Sequence, residues 1–271
     1  MINTKHITKL DSPVVEASSF KFNNNRYVLE NWRGHWRNKT SNRHYLIIID
    51  PSTNKIISEF MDGYNLASIF VHNKTAYVFA SQRDKGWKHV FMSQSTDLTN
   101  WSTPKKILHR DKETYNQSIC YNGQNFIMAY ETNDFNPFSI RFAQSEDLIH
   151  WNNLNFVFNK DDYTACPFMT YFNNEYYMFY TVCPIKKQRY YEIWLAKSNN
   201  LEEWNVSLKN PVISPKSIAY KNGNNTSDFD LHFYDDSIFI YFTGGNQDTW
   251  GGDLMMAKLD IDISQFLEYY F

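Results

Sequence analysis

The sequence predicts an all-β fold, a five-bladed β-propeller with four antiparallel strands per blade, built by residues 1–271 as a single domain. Two observations predict it. Aromatic residues make up 18% of the chain, with 19 Tyr and 21 Phe, a composition that favours strands. One hairpin pattern also recurs along the whole chain: an alternating strand, a polar turn, then a second strand rich in Tyr and Phe.

The hairpins are SSFKFNNNRYVLEN (18–31), SIFVHNKTAYVFAS (68–81), SICYNGQNFIMAYE (118–131), FMTYFNNEYYMFYT (168–181) and DLHFYDDSIFIYFT (230–243). Their second strands end at Asn31, Ser81, Glu131, Thr181 and Thr243, spaced by 50, 50, 50 and 62 residues. A third strand follows each: HYLIIID, HVFMSQS, SIRFAQS, EIWLAKS and DLMMAKL. Three of these run into one signature, STDLTNW, SEDLIHW and SNNLEEW, whose Ser, Asp or Asn, and Leu make a tight turn. Trp101, Trp151 and Trp204 end the signature and are expected to pack where neighbouring units meet. KIISEF, KKILHR, LNFVFN, PVISPK and QFLEYY are the expected fourth strands. A unit of this size cannot bury both sheet faces alone, so the units must stack around an axis. Residues before Glu16 are placed to add an outer strand to the last blade and close the ring.

Composition narrows the function. A net charge of −2 supplies no overall field to recruit nucleic acid or an anionic membrane. The start, MINTKHITKLD, lacks the apolar core of a signal peptide, and no later run is long and apolar enough to span a bilayer. A cytoplasmic location is the expectation. The three cysteines, Cys120, Cys166 and Cys183, show neither CxxC nor Cys/His metal spacing, which argues for reduced thiols.

In a propeller, three positions per blade face one mouth of the central channel. At the entrances of the first strands stand Glu16, Leu66, Asn116, Cys166 and Asp228; Asn65 is one residue earlier in its blade. At the ends of the second strands Glu131 is the single acid, and the third strands open with residues such as His44, Glu192 and Asp253. A set of carboxylates therefore converges on one small opening.

The hairpin CPFMTYFNNEYYMFYT, the A-x-S endings and the DLxxW turns resemble the five-bladed propeller glycoside hydrolases: the arabinanase/β-xylosidase family 43 and relatives, including the invertase-like family 32. The resemblance spans nearly the whole chain. It implies an Asp base in the first blade, a second Asp that tunes pKa, and a Glu acid. Glu16 occupies the base position. The second position falls near Asn65, Leu66 or Asn116, none of them acidic. Cys166 stands where an Asp is implied, and Ala165-Cys166-Pro167 lacks the Glu of the invertase-like Glu-Cys-Pro.

Glycoside hydrolysis needs two carboxyl groups flanking the bond, one of them protonated near neutral pH. The expected catalytic set is Glu16 as base, with Glu131 or Glu192 as acid and Asp228 holding a hydroxyl or tuning the acid. Asp228 and Asp230 alternate on one strand and so share a face; Asp230 serves either the site or a hydrogen bond between blades. The loop 31–43 brings Trp32 and Trp36 as stacking platforms, and Arg33, Arg37 and Arg43 for an anionic group. Gln247 and Trp250 come from a second loop, 244–253. Asn65, Asn116 and Asp230 complete the expected substrate contacts. No cofactor is expected; His232 reads as a core histidine ahead of a ligand to a channel metal ion. The expected partner is a carbohydrate, acidic or modified sugars included. Two further readings stay open: a propeller that binds a glycan without cleaving it, and a phosphorylase whose rim arginines hold phosphate.

Overall fold

Asn23–Asn24, Asn73–Lys74, Asn173–Asn174 and Asp235–Asp236 each carry positive φ on both residues, the mirror-image turn that matches strand twist and closes a tight hairpin. These turns fix the register of four of the five predicted hairpins. The computed structural model of the protein describes residues 2, 4–33, 43–135, 137–185, 189–218, 222–249 and 251–271. It forms five four-stranded antiparallel sheets arranged as a five-bladed propeller.

The first strand, β1 (Ile7–Lys9), belongs to the last blade, as outlined below. Blade 1 follows with β2 (Ala17–Phe22), β3 (Asn25–Arg33), β4 (His44–Asp50) and β5 (Lys55–Phe60). Blade 2 is β6 (Tyr64–His72), β7 (Thr75–Gln82), β8 (His89–Ser95) and β9 (Lys105–His109). Blade 3 is β10 (Thr114–Tyr121), β11 (Phe126–Thr132), β12 (Ser139–Ser145) and β13 (Asn152–Phe158). Blade 4 is β14 (Thr164–Phe172), β15 (Glu175–Val182), β16 (Glu192–Ser198) and the two-residue β17 (Asn205–Val206). Blade 5 is β18 (Asn225–Tyr234), β19 (Ser237–Asn246) and β20 (Gly251–Leu259), with β1 as its outer strand. The N-terminal strand therefore closes the ring, pairing Thr8 with Met256. Lys9 reinforces the closure through Asp253 at 2.8 Å.

Two expected fourth strands are different. QFLEYY lies in a helix, α1 (Ile263–Tyr270). Asp262 caps it, accepting from Gln265 N at 2.8 Å, and this capping box outweighs the aromatic, strand-like composition. Phe266, Leu267 and Tyr270 bury into the core shared by blades 4 and 5, where Phe179 stacks on Phe229 at 4.3 Å. PVISPK forms a single bridge, Ile213 to Ile193, and then a 3₁₀ turn. Pro211 and Pro215 have no N–H to give a ladder.

The tryptophan signature is one structure built three times. Ser95 Oγ accepts from the N–H groups of Asp97 and Leu98, and the Asp97 carboxylate from Thr99 and Asn100. Leu98 is left-handed and buried, and Trp101 Nε1 donates to its carbonyl at 3.1 Å. Ser145–Trp151 and Ser198–Trp204 repeat these bonds. Trp101 stacks on Phe60 of blade 1 at 4.0 Å, and Trp204 on Phe142 of blade 3 at 5.7 Å. These indoles hold neighbouring blades together.

Candidate active site

Each first strand after blade 1 begins with the same irregularity. Two residues of the inner strand oppose one of its neighbour: 66–67 face Ala80, 116–117 Tyr130, 166–167 Tyr180 and 228–229 Phe242. These are β-bulges, and the first bulged residue is left-handed each time: Leu66 (φ 54°), Asn116 (47°), Cys166 (47°) and Asp228 (54°). None is glycine, so each stores backbone strain of about 1–3 kcal/mol. Blade 1 pairs without a skip and delivers Glu16 just before β2.

The bulges aim their side chains at the axis. A narrow cavity of about 70 Å³ runs down the channel between the five inner strands. A second cavity of about 150 Å³ lies above it, between blades 4, 5 and 1, with Tyr163, Tyr191, Asn225 and Gln247 in its wall. Glu16, Cys166 and Asp228 line both cavities and so form the neck between them.

Electrostatics couple the neck. Burial lifts the Glu16 carboxyl to about 7; Arg33 opposes the rise, while Asp228 and Glu131 add to it. Arg33 Nη2 donates to both Glu16 oxygens at 2.5 Å. Burial likewise lifts Glu131 to about 7, against hydrogen bonds from Asn116 Nδ2 (2.9 Å) and Cys166 N (3.1 Å). Asp228 Oδ2 accepts from Ser227 Oγ at 2.6 Å. Burial pushes the Cys166 thiol well above its ordinary value, and Asp228, Glu131 and Glu16 push it further. Cys166 is thus a neutral thiol among three carboxyl groups.

Of the predicted residues, Glu16, Asp228 and Glu131 come together, with Asn116 as a donor to Glu131. Glu131 is 7% exposed and sits behind Asn116 and Cys166, outside the two cavity walls. Gln247 lines the upper cavity. Glu192 does not join the site: its carboxylate accepts from Trp194 Nε1 at 2.9 Å and lines neither cavity. Asp230 lines the channel, but its carboxylate accepts from Ser19 N of blade 1 at 3.0 Å, which is the bond between blades. A bulge at 228–229 interrupts the alternation between Asp228 and Asp230, and both still line the channel. Trp32 stacks on Tyr45 at 5.6 Å, packs against the buried cluster of Val14, Val28 and Leu254, and lines neither cavity. Asn65 is buried beside His44 Nδ1, at 3.4 Å, and Arg43 pairs with Glu59 and Asp62 at the blade edge. Trp36, Arg37 and Trp250 lie outside the described residues.

Burial, with Arg26 and Lys21, pushes the His232 imidazole down to about 4, and those two cations disfavour a metal ion beside it. Among the described residues no group of three or more His, Cys, Asp or Glu is arranged to hold a metal. No helix of the described chain is long and apolar enough to cross a membrane. Sequence reasoning missed Tyr163 and Tyr191, which precede strands at the mouth. It also gave Arg33 to a ligand and overlooked Glu16 as its partner.

No family model matches the sequence, and no curated protein matches it. Solved structures do. One glycoside hydrolase aligns with a TM-score of 0.70 at 12% identity, covering 97% of this chain and 94% of that one. A thermostable family-43 glycoside hydrolase aligns at 0.68 and 15% identity, over 93% and 92%. The family-93 α-L-arabinofuranosidase of Fusarium graminearum, solved with arabinobiose, aligns at 0.64 and 12% identity, over 93% and 79%. At these identities the likeness is one of fold: the chain shares the five-bladed propeller of these glycoside hydrolases.

Proposed function

We propose that the chain is a glycoside hydrolase whose working pair is Glu16 and Asp228. The observation that carries this reading is the neck, where both carboxyl groups line the channel and the cavity above it. Hydrolysis needs one carboxyl that holds a proton near neutral pH and a second that activates water or attacks the sugar. Glu16, lifted to about 7, is suited to donate the proton to the leaving oxygen. Arg33, on both of its oxygens, stabilises the carboxylate left behind. Asp228 is then the base or nucleophile. This makes Glu16, expected as the base, the acid, and makes Asp228, expected to hold a hydroxyl or tune the acid, the base or nucleophile; the base position that Glu16 occupies carries no information on its burial. Glu131 acts from behind, positioning Cys166 and Asn116 and raising the proton affinity of Glu16.

A second reading has its own support. Arg33 occupies both oxygens of Glu16, and Asn116 and Cys166 stand at entrances where carboxylates are implied. These features favour a propeller that binds a glycan and leaves it intact. Turnover of a broad panel of aryl glycosides separates the two. Release of the aryl group supports the hydrolase; binding of free sugars with no release from any member of the panel supports the binding module. Arabinofuranosides are the first to try, since one fold relative is an α-L-arabinofuranosidase.

A further inference from the structure

The rim of the funnel carries a row of aromatic rings that the neck does not use. Trp87, Tyr115, Phe138, Tyr163 and Tyr191 touch in sequence, with ring centroids 5.7, 5.9, 6.1 and 5.3 Å apart. All five are partly exposed. They come alternately from the loop before a third strand and from the start of a first strand, so the row crosses blades 2, 3 and 4 on the funnel side. Main-chain bonds pin it. Thr114 N donates to Trp87 O, Thr164 N to Phe138 O and Thr226 N to Tyr191 O, at 2.8–3.0 Å, each bond reaching the next blade. Trp87 is itself left-handed (φ 58°), an unfavourable conformation for a bulky side chain.

The two ends of the row differ. Tyr163 and Tyr191 stand in the wall of the cavity above the neck. Trp87 lies between the exposed Lys85 and Lys88, in a turn that also carries Arg83 and Asp84. Lys106 of β9 joins them: burial and the charges of His109, Lys106, Lys85 and Lys88 together push His89 below its ordinary value. The outer end is therefore a cationic patch continuous with the aromatic row. Glu113, the acid nearest the middle of the row, is bonded to Tyr115 Oη and to Asn133 Nδ2.

We infer that this row is a binding track for the part of an anionic oligosaccharide that lies outside the neck, its sugar rings on the aromatic faces and its acidic groups near Lys85, Lys88 and Lys106. Sugar rings present apolar C–H faces that stack on aromatic side chains, and a rigid row removes the entropy cost of ordering the platforms. The lysines add an attraction that salt screens. The inference rests on the glycoside reading for direction, since it places the reacting end at Tyr163 and Tyr191.

Affinity measurements test it without turnover. Galacturonic-acid oligomers of one to six units, and xylo-oligosaccharides of the same lengths as neutral probes, are titrated against the Glu16→Gln protein by calorimetry. The track predicts that affinity for the acidic series rises with length, exceeds that for the neutral series, and loses this advantage between about 0.05 and about 0.5 M salt. Adding Trp87→Ala should weaken the acidic hexamer roughly tenfold and leave the monomer unchanged. Replacing Lys85, Lys88 and Lys106 together by Gln should remove the salt dependence. Equal affinity for acidic and neutral hexamers, or a Trp87→Ala protein that binds the acidic hexamer as the parent does, overturns the inference. Failure of the hydrolase reading appears separately, as absence of turnover by the parent protein.

Discussion

Glu131 and Cys166 join the third and fourth blades: the Glu131 carboxylate accepts the backbone N–H of Cys166 at 3.1 Å. The same place bonds to the next blade in three of the other blades, while the buried Thr181 Oγ1 of blade 4 makes no hydrogen bond among the described residues. Asn31 bonds both the N–H and the carbonyl of Ala67, at 2.7 and 3.1 Å, and so ties blade 1 to blade 2. Ser81 Oγ donates to Thr114 O, and Thr243 Oγ1 to Val15 O, at 2.9 and 2.5 Å. In blades 1 to 3 the end of the second strand is therefore a clamp on the next blade's strained bulge, reaching Ala67, Gln117 and Cys166. Glu131 is the one clamp with a titratable group.

Replacing a clamp should loosen the ring. Asn31→Ala leaves two buried main-chain groups of Ala67 without partners, which costs about 1–3 kcal/mol for each. Thermal unfolding should show a fall of several degrees. Glu131→Gln retains an acceptor for Cys166 N–H and should unfold nearer the parent than Glu131→Ala. Equal melting temperatures for all three variants and the parent would remove the clamp from the account.

Cys166 should be inert as a nucleophile. Burial and three carboxyl groups hold its thiol well above the ordinary value, so little thiolate exists near neutral pH. Mass spectrometry after iodoacetamide treatment at pH 7.5 should find Cys166 unmodified in the folded protein and alkylated in urea. Rapid alkylation of the folded protein would place it in a different electrostatic setting.

Stability should fall as pH rises towards neutrality. Glu16, Glu30, Glu131 and Asp230 are all lifted by burial to about 7, above their unfolded values of 4.5 or 3.8. A carboxyl whose folded pKa is raised favours the fold fully below its unfolded pKa. That contribution is lost as pH climbs through the folded value, a loss on the order of 3 kcal/mol for each such group. His232, pushed down to about 4, acts oppositely between about 4 and 6.5 and offsets part of the slope there. The melting temperature should therefore drop from about pH 5 to about pH 7.5 and level off above that, and Asp230→Asn should flatten the drop. A melting temperature that rises over this interval contradicts the burial of these groups.

The tryptophan turns should prove structural. Trp101→Ala removes the stack on Phe60 and the hydrogen bond to Leu98 O, and large-to-small changes at such sites cost about 3–5 kcal/mol. A saccharide that binds the funnel should bind the folded variant as it binds the parent. Weakened binding at temperatures where the variant is fully folded would give the signature a ligand role.

The blade pattern was legible because hairpins of fixed length repeat at fixed spacing. The positions expected at the inner-strand entrances, 66, 116, 166 and 228, are the left-handed bulge residues themselves. Side-chain direction was not legible there. A bulge shifts the two-residue alternation, so Asp230 serves Ser19 while Asp228 faces the neck. Nor does alternation say which way Glu192 turns: it lies on the face of Trp194 and bonds that indole. Arg33 looked like a free cation in a cationic loop, and only the fold brings Glu16 within 2.5 Å of it. QFLEYY failed as a strand because Asp262 and Gln265, three residues apart, cap a helix.

Leaving-group dependence tests the central claim, that Glu16 gives the proton and Asp228 completes the pair. The measurement is turnover by the parent, Glu16→Gln and Asp228→Asn on aryl glycosides of one sugar with good and poor leaving groups, alongside their melting temperatures. A general acid contributes about 10²–10⁴-fold where the leaving group needs a proton and little where it does not. Glu16→Gln should therefore lose about that much on a poor leaving group and stay near the parent on dinitrophenolate. Asp228→Asn should lose a comparable factor on both, with both variants folded. If both variants stay within about threefold of the parent on every substrate, the chemistry lies elsewhere than at Glu16 and Asp228.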